Sequence, residues 1–223
     1  MLKYKEITVI GTSHISPRSV RKVKDVIKEE KPAIVAIELD MKRYQYLINK
    51  EQSGRISIGA IRKIGFTGFL IAVFGAWAEK KLGQLTGSSP GQEMLAAANA
   101  GKKEGAVIAF IDQDISITLS RLNHKITAKE KLRFVGELIT APFKKKKLAF
   151  DLRKVPTEEL IEGLIGEVKK KYPNVYQVLI HERDEYMAKA LNKLYETNKK
   201  IVAVVGAGHE KGIIETLSKL ERS

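Results

Sequence analysis

The chain of 223 residues contains no cysteine, which excludes disulfides, thiolate zinc sites and a cysteine nucleophile together. Any bound metal must therefore rest on His, Asp or Glu, and there are only four histidines to supply imidazole. Aromatic residues are scarce, with a single Trp, and the aromatic stacking motifs of RNA-binding modules are missing. Neither a Gly-x-x-x-x-Gly-Lys-Ser/Thr loop nor a Gly-x-Ser-x-Gly elbow occurs, which argues against a P-loop enzyme and a serine hydrolase. One long apolar stretch exists, Ile64 to Trp77, with Gly65, Gly68 and Gly75 inside it. A membrane span needs roughly 20 apolar residues, so this stretch reads as a buried or partner-facing helix. No solenoid-period repeat is found. The opening MLKYKEITVI enters a strand at once, and we expect no signal peptide before the fold.

Charge of one sign is abundant: 40 Lys and Arg against 26 Asp and Glu give a formal net charge of +14. Such an excess suits phosphate backbones or anionic headgroups. The lysines, however, are dispersed over the polar faces of expected helices, and Lys144 to Lys147 form the only dense run. A Lys- and Glu-rich surface with abundant Ile and no Cys also matches a thermophile chain. The charge is read as a solvated surface, nucleic acid is set aside as a partner, and a cytoplasmic location is expected.

Four β-branched runs end in acidic or imidazole side chains. ITVI precedes Gly11-Thr12-Ser13-His14, AIVAI precedes Glu38-Leu39-Asp40, AVIAFI precedes Asp112-Gln113-Asp114, and KIVAVV precedes Gly206-Ala207-Gly208-His209. Ligands gather at the carboxyl ends of parallel strands, so these residues are expected to form one polar cluster. The fold class is α/β, a central mainly parallel sheet with flanking helices. One domain over residues 1–223 is expected, with helical insertions at about 41–105 and 123–199. Ser16-Pro17 starts a helix after the first strand, and Lys31-Pro32 ends it before the second, giving a βαβ unit whose two strands should pair. Ser89-Pro90-Gly91-Gln92 fits a capping box for a helix to about Lys103.

His14 and His209 share one setting: strand, Gly-x-x-His, helix. With Glu38 at a third strand end they make a facial set for Zn²⁺, Mn²⁺, Co²⁺ or Fe²⁺. Hydrolysis is the reaction class that follows. The plain alternative is that both imidazoles cap helices or bond carbonyls. Glu38, ending an apolar run, needs a partner, for which Arg43 is the nearest candidate, and the plain alternative is a surface pair of Asp40 with Arg43 of small value. Asp114 reads as a helix cap, Asp112 and Arg121 as either cap or site, and Glu93 as a carboxylate favoured by a helix N-terminus. His181-Glu182-Arg183-Asp184-Glu185 fails as a zinc-protease motif, because Glu185 stands where the second His is needed. His124 reads as a surface loop residue. The stretch VAVVGAGHEKG also suggests a phosphate loop, yet too little chain follows to complete a dinucleotide fold.

The motif string resembles the TraB family (TraB, PrgY, GumN, Tiki). It comprises Gly11-Thr12-Ser13-His14, Glu38-Leu39-Asp40 with Arg43, and Pro90-Gly91-Gln92-Glu93 with its Ala-rich helix. Ile111-Asp112-Gln113-Asp114 with Thr118 and Arg121, Glu182-Arg183-Asp184 with Met187, and Val205 to His209 complete it. Gln113 departs from the Arg that relatives often carry. The resemblance implies an archaeal TraB-domain protein with a fold related to erythromycin esterase and ChaN. It further implies a metal-dependent peptidase-like site on His14, His209 and Glu38, and a role in shutting down peptide pheromones. Arg121 and Arg183 become candidates for binding a carboxylate or oxyanion. The function expected is a metal-dependent hydrolase of peptide or amide bonds with Mn, Co or Zn. Glu93 or Asp112 would move protons, and Arg43, Arg121 or Arg183 would orient the peptide substrate. The rival is a peptide-binding protein that sequesters a signal peptide uncut. The helical insertion or Ile64 to Trp77 would serve a homodimer or membrane contact, and C-terminal membrane helices beyond this chain are a further implied anchor.

Overall fold

The computed structural model of the chain describes residues 1–12, 17–49, 91–140, 158–197 and 199–222. Ile64 to Trp77, Lys144 to Lys147 and His14 lie outside them.

The opening residues form two strands rather than one. Lys5 adopts φ 51°, in the left-handed region, and the turn there folds β1 (Leu2–Tyr4) antiparallel onto β2 (Ile7–Thr12), with Leu2 opposite Val9. Helix α1 (Pro17–Glu30) follows, then β3 (Ile34–Ile37) and α2 (Met41–Ile48). Next come α3 (Gln92–Lys103), β4 (Val107–Phe110), α4 (Ile115–Lys125) and α5 (Ala128–Thr140). After α6 (Glu158–Lys171), a short α7 (Pro173–Tyr176) runs through a π-helical stretch, Gln177–His181, into α8 (Glu182–Tyr195). Strand β5 (Ile201–Gly206) and α9 (Glu210–Leu220) close the chain.

The sheet order is β1-β2-β5-β3-β4, parallel throughout except for β1. The expected direct pairing of β2 with β3 is not what forms. Strand β5, the last in sequence, inserts between them, so that Ile201 stands opposite both Ile7 and Ile34. This strand reads IVAVVG and is buried along its whole length, as a central strand covered on both faces must be. Its insertion places the carboxyl end of β5 between those of β2 and β3, at a point where the strand order reverses.

Side chains alternate between the faces with period two. On one face Val9, Ala36, Ala203 and Val205 pack against Met187, Ala188 and Leu191 of α8 and Ile213 and Leu217 of α9. On the other, Ile10, Val35, Ile37, Val202 and Val204 pack against Val23 and Ile27 of α1 and Met94, Ala97 and Ala98 of α3. Helix α3 ends at Lys103 as expected, but its N-cap is Gly91 at φ 88°, without a side-chain cap. That places Gln92 at the first helical position, where it cannot serve as the third residue of a capping box.

Leu191 is fully buried. Leu191→Ala should cost about 2–5 kcal/mol, the usual range for a truncated core leucine. Urea unfolding checks this: the midpoint should fall with an unchanged slope, and an unmoved midpoint would contradict the packing.

Candidate functional site

Strand β5 delivers its load through a tight turn, in which the His209 amide donates to the Gly206 carbonyl. The imidazole is 5 % exposed. Its Nδ1 lies 2.6 Å from Asp184 Oδ1, and its Nε2 lies 3.0 Å from Arg183 Nη1. A guanidinium can only donate. Nε2 is therefore the acceptor in that contact, and the ring proton stands on Nδ1, donated to Asp184. Burial pushes the Asp184 carboxyl above the ordinary carboxylate range, while the His209 hydrogen bond pulls it the other way.

Two glycines make room for this arrangement. A Cβ at Gly212, in α9, would stand 2.1 Å from Asp184 Oδ2, and one at Gly11 would stand 2.3 Å from Glu210 Oε2. The glycine of each strand-end region thus yields space to a carboxylate from another element. Asp184 shares the buried stripe of α8 with Met187, Ala188 and Leu191. An acidic residue three, four and seven positions before apolar ones marks a buried carboxylate in need of a partner. Sequence reasoning passed over that signal, and it passed over the buried Glu210 as well.

Glu38 and Arg183 complete the centre. Glu38 is 7 % exposed. Its Oε2 accepts from the Gly206 amide, its Oε1 accepts from Arg183 Nη2, and the same Oε1 stands 3.5 Å from His209 Nε2. Arg183 also grips Asp112 through Nη2 at 2.6 Å and Nε at 3.2 Å. Arg43 extends the chain of charges, contacting Asp112 through Nη2 and Asp40 through Nε. Burial alone would lower the Arg183 pKa, but the Glu38 charge and the Asp112 hydrogen bonds overcome it and hold the guanidinium above its ordinary value. Among the described residues, carboxylates from Glu38, Asp40, Asp112 and Asp184 face guanidiniums from Arg43 and Arg183, a formal excess of two negative charges.

Of the candidates read from the sequence, Glu38, Asp112, Arg43, Arg183 and His209 are brought together. Arg121 is not. It forms a two-pronged pair with Glu182 at 2.5 and 2.9 Å, on an exposed face, and Arg121 with Lys125 draws the Glu182 carboxyl down to about 2. Asp40 and Arg43 are no isolated surface pair: Asp40 is 8 % exposed and caps α2, accepting from the Arg43 amide at 2.9 Å. Asp114 caps α4, accepting from the Ser116 amide. Glu93 is buried in the first turn of α3, and Gln113 bonds Thr118. His124 is exposed as expected, but in the last turn of α4 rather than a loop. Among the described residues, no three metal-ligating side chains converge on one point.

The family model described as TraB/PrgY/gumN matches residues 3–223. The chain belongs to the TraB/PrgY/gumN family. It is 39% identical to an uncharacterized protein of Methanocaldococcus jannaschii over 97% of this chain and 54% of that one. It is 25% identical to a TraB domain-containing protein of Homo sapiens over 93% of this chain and 61% of the other, and 24% identical to its Mus musculus counterpart over the same shares. The chain thus spans somewhat over half the length of these curated relatives. Among its described residues no helix is long and apolar enough to cross a membrane.

Arg183→Met should take the Arg183 guanidinium from Glu38, which keeps the Gly206 amide, and reduce Asp112 to the Arg43 cation. Breaking a buried pair in this way costs about 3–5 kcal/mol. A buried carboxyl that loses a cation has its folded-state pKa raised, so it takes up a proton more readily in the folded state and the deficit should shrink as pH falls. Urea unfolding of both proteins at pH 7 and pH 5 measures it, and a deficit equal at both would count against an ionised pair.

Proposed function

We propose that this TraB-family chain is a hydrolase of peptide or amide bonds, with a divalent ion held by His209 Nε2, Glu38 and His14. The observation that carries it is the His209 geometry. An Nδ1–H donated to a buried carboxylate, with Nε2 turned toward a second carboxylate, is how proteins prepare a metal-binding imidazole. The 3.5 Å between Nε2 and Glu38 Oε1 suits two ligands of one ion with bonds of about 2.0–2.2 Å. The formal excess of two negative charges in the cluster is what a dication offsets.

Such an ion supplies Lewis acidity, polarising a carbonyl and acidifying water. The protein's own groups do the rest. Asp184 fixes the tautomer and plane of His209. Arg183 pivots as a rigid fork, drawing Nη1 off Nε2 and leaving it to hold a substrate oxygen. Asp112, gripped by two guanidiniums, positions them rather than carrying protons. Glu93, buried in the first turn of α3, is the candidate proton acceptor. The mostly parallel sheet with its polar strand ends supports the kinship with erythromycin esterase and ChaN folds.

One feature favours the second reading. Arg183 already occupies Nε2, so the same cleft could retain a peptide without cutting it.

Dialysis against Mn²⁺, Co²⁺ or Zn²⁺ followed by elemental analysis should find about one ion per chain, lost in His209→Ala and Glu38→Gln. Asp184→Asn should weaken metal affinity about 10–100-fold. Negligible metal in the wild-type protein would end the metal proposal, and peptides retained intact would favour sequestration.

A further inference from the structure

Behind Asp184 lies a cavity of about 510 Å³, bounded by α6, α7, the start of α8 and the turn from β5 into α9. It borders the proposed reaction centre directly, since Asp184 bonds His209 and Gly208 and Glu210 flank that histidine. The proposed chemistry does not use it.

Its walls have two characters. Ile161, Ile165 and Ile180 provide an aliphatic lining, with the Tyr176 ring beside them. Asp184, Glu210 and Glu215 bring carboxylates to the same space. Glu162 is matched by Lys211 at 3.0 Å, and burial, then the charges of Asp184 and Glu215, hold the Tyr176 phenol above its ordinary range. Glu210 is 9 % exposed, and its Oε1 carries no aligned hydrogen bond, its countercharge being the Met1 ammonium at 2.7 Å. The cavity already attracts an alkylammonium: Lys169 places its Nζ 5.1 Å from the centre of the Tyr176 ring. An aromatic face, aliphatic walls and desolvated carboxylates together are how proteins receive an ammonium on an apolar stem.

We propose that this cavity selects a primary ammonium carried on an aliphatic stem, supplied by a peptide as a lysyl side chain or as an amino terminus bearing an aliphatic residue. The assignment rests on the peptide-site reading above and names its substrate class. A purely apolar side chain fills the walls but offers the Tyr176 face and the Glu215 carboxylate no cation, which disfavours it. An acidic side chain meets more carboxylates, from Glu162, Asp184, Glu210 and Glu215, than side-chain ammonium groups, from Lys169 and Lys211.

Fluorescence anisotropy with C-terminally labelled alanine-based peptides tests this, using the intact chain and His209→Ala. One peptide is acetylated and carries Lys, a second is acetylated and carries norleucine, and a third has a free amino-terminal Leu and no Lys. An ammonium peptide should bind at least about tenfold more tightly than the norleucine peptide, as a single cation–π and ion-pair contact allows. The arm that binds identifies the source. Ile165→Trp, which fills the space, should remove binding, and the exposed Glu215→Gln should reduce the preference without disturbing the fold. Norleucine binding as tightly, or tight binding untouched by Ile165→Trp, overturns the proposal. An intact preference in His209→Ala with no cleavage by the wild type leaves the cavity assignment standing and sinks only the hydrolase.

Discussion

Arg183 is the cation on which the carboxyl end of this sheet depends. Glu38 and Asp112 are buried at neighbouring strand ends, and Arg183 bonds both while also donating to His209. A buried carboxylate without a partner costs several kcal/mol. One guanidinium fork, rigid and always charged, answers that demand for two of them and sets the tautomer of the imidazole between. Asp184, the next residue along α8, completes the arrangement from the other side of the ring. Two consecutive side chains of one helix therefore fix both nitrogens of His209.

The topology explains how residues so far apart in sequence come together. Strand β5, the last in sequence, lies in the middle of the sheet between β2 and β3, and that placement brings the Gly206 amide to Glu38. Formation of the site is thereby tied to the pairing of greatest sequence separation. Gly11 and Gly212 are needed because the carboxylates of Glu210 and Asp184, from other elements, approach their backbone closely.

Much of this was legible in the sequence, and the reasons are physical. The runs ITVI, IVAI, VIAF and IVAVV announce strands through β-branched density, and the polar residues after them could only gather at one end of a parallel sheet. Hence the gathering of Glu38, Asp112 and His209 at one end of the sheet could be read from the strand ends. Strand order was not legible, because the βαβ rule fixes parallelism but not adjacency, and β5 took the place expected for a direct β2–β3 contact. Arg121 and Arg183 looked equivalent in sequence, yet only burial separates them: the first lies on an exposed face with Glu182, the second in the cluster. Asp184 was hidden in a failed zinc-protease pattern, although its place on the apolar stripe of α8 was there to be read.

The site turns on His209 with a proton on Nδ1 and Nε2 as acceptor, clamped between Asp184 and Arg183. ¹⁵N-resolved NMR of the histidine side chains at neutral pH measures this directly. The prediction is a protonated, pyrrole-type Nδ1 and an unprotonated, pyridine-type Nε2 for His209, with the pattern lost in Asp184→Asn. A proton on Nε2, or both nitrogens protonated, would contradict it.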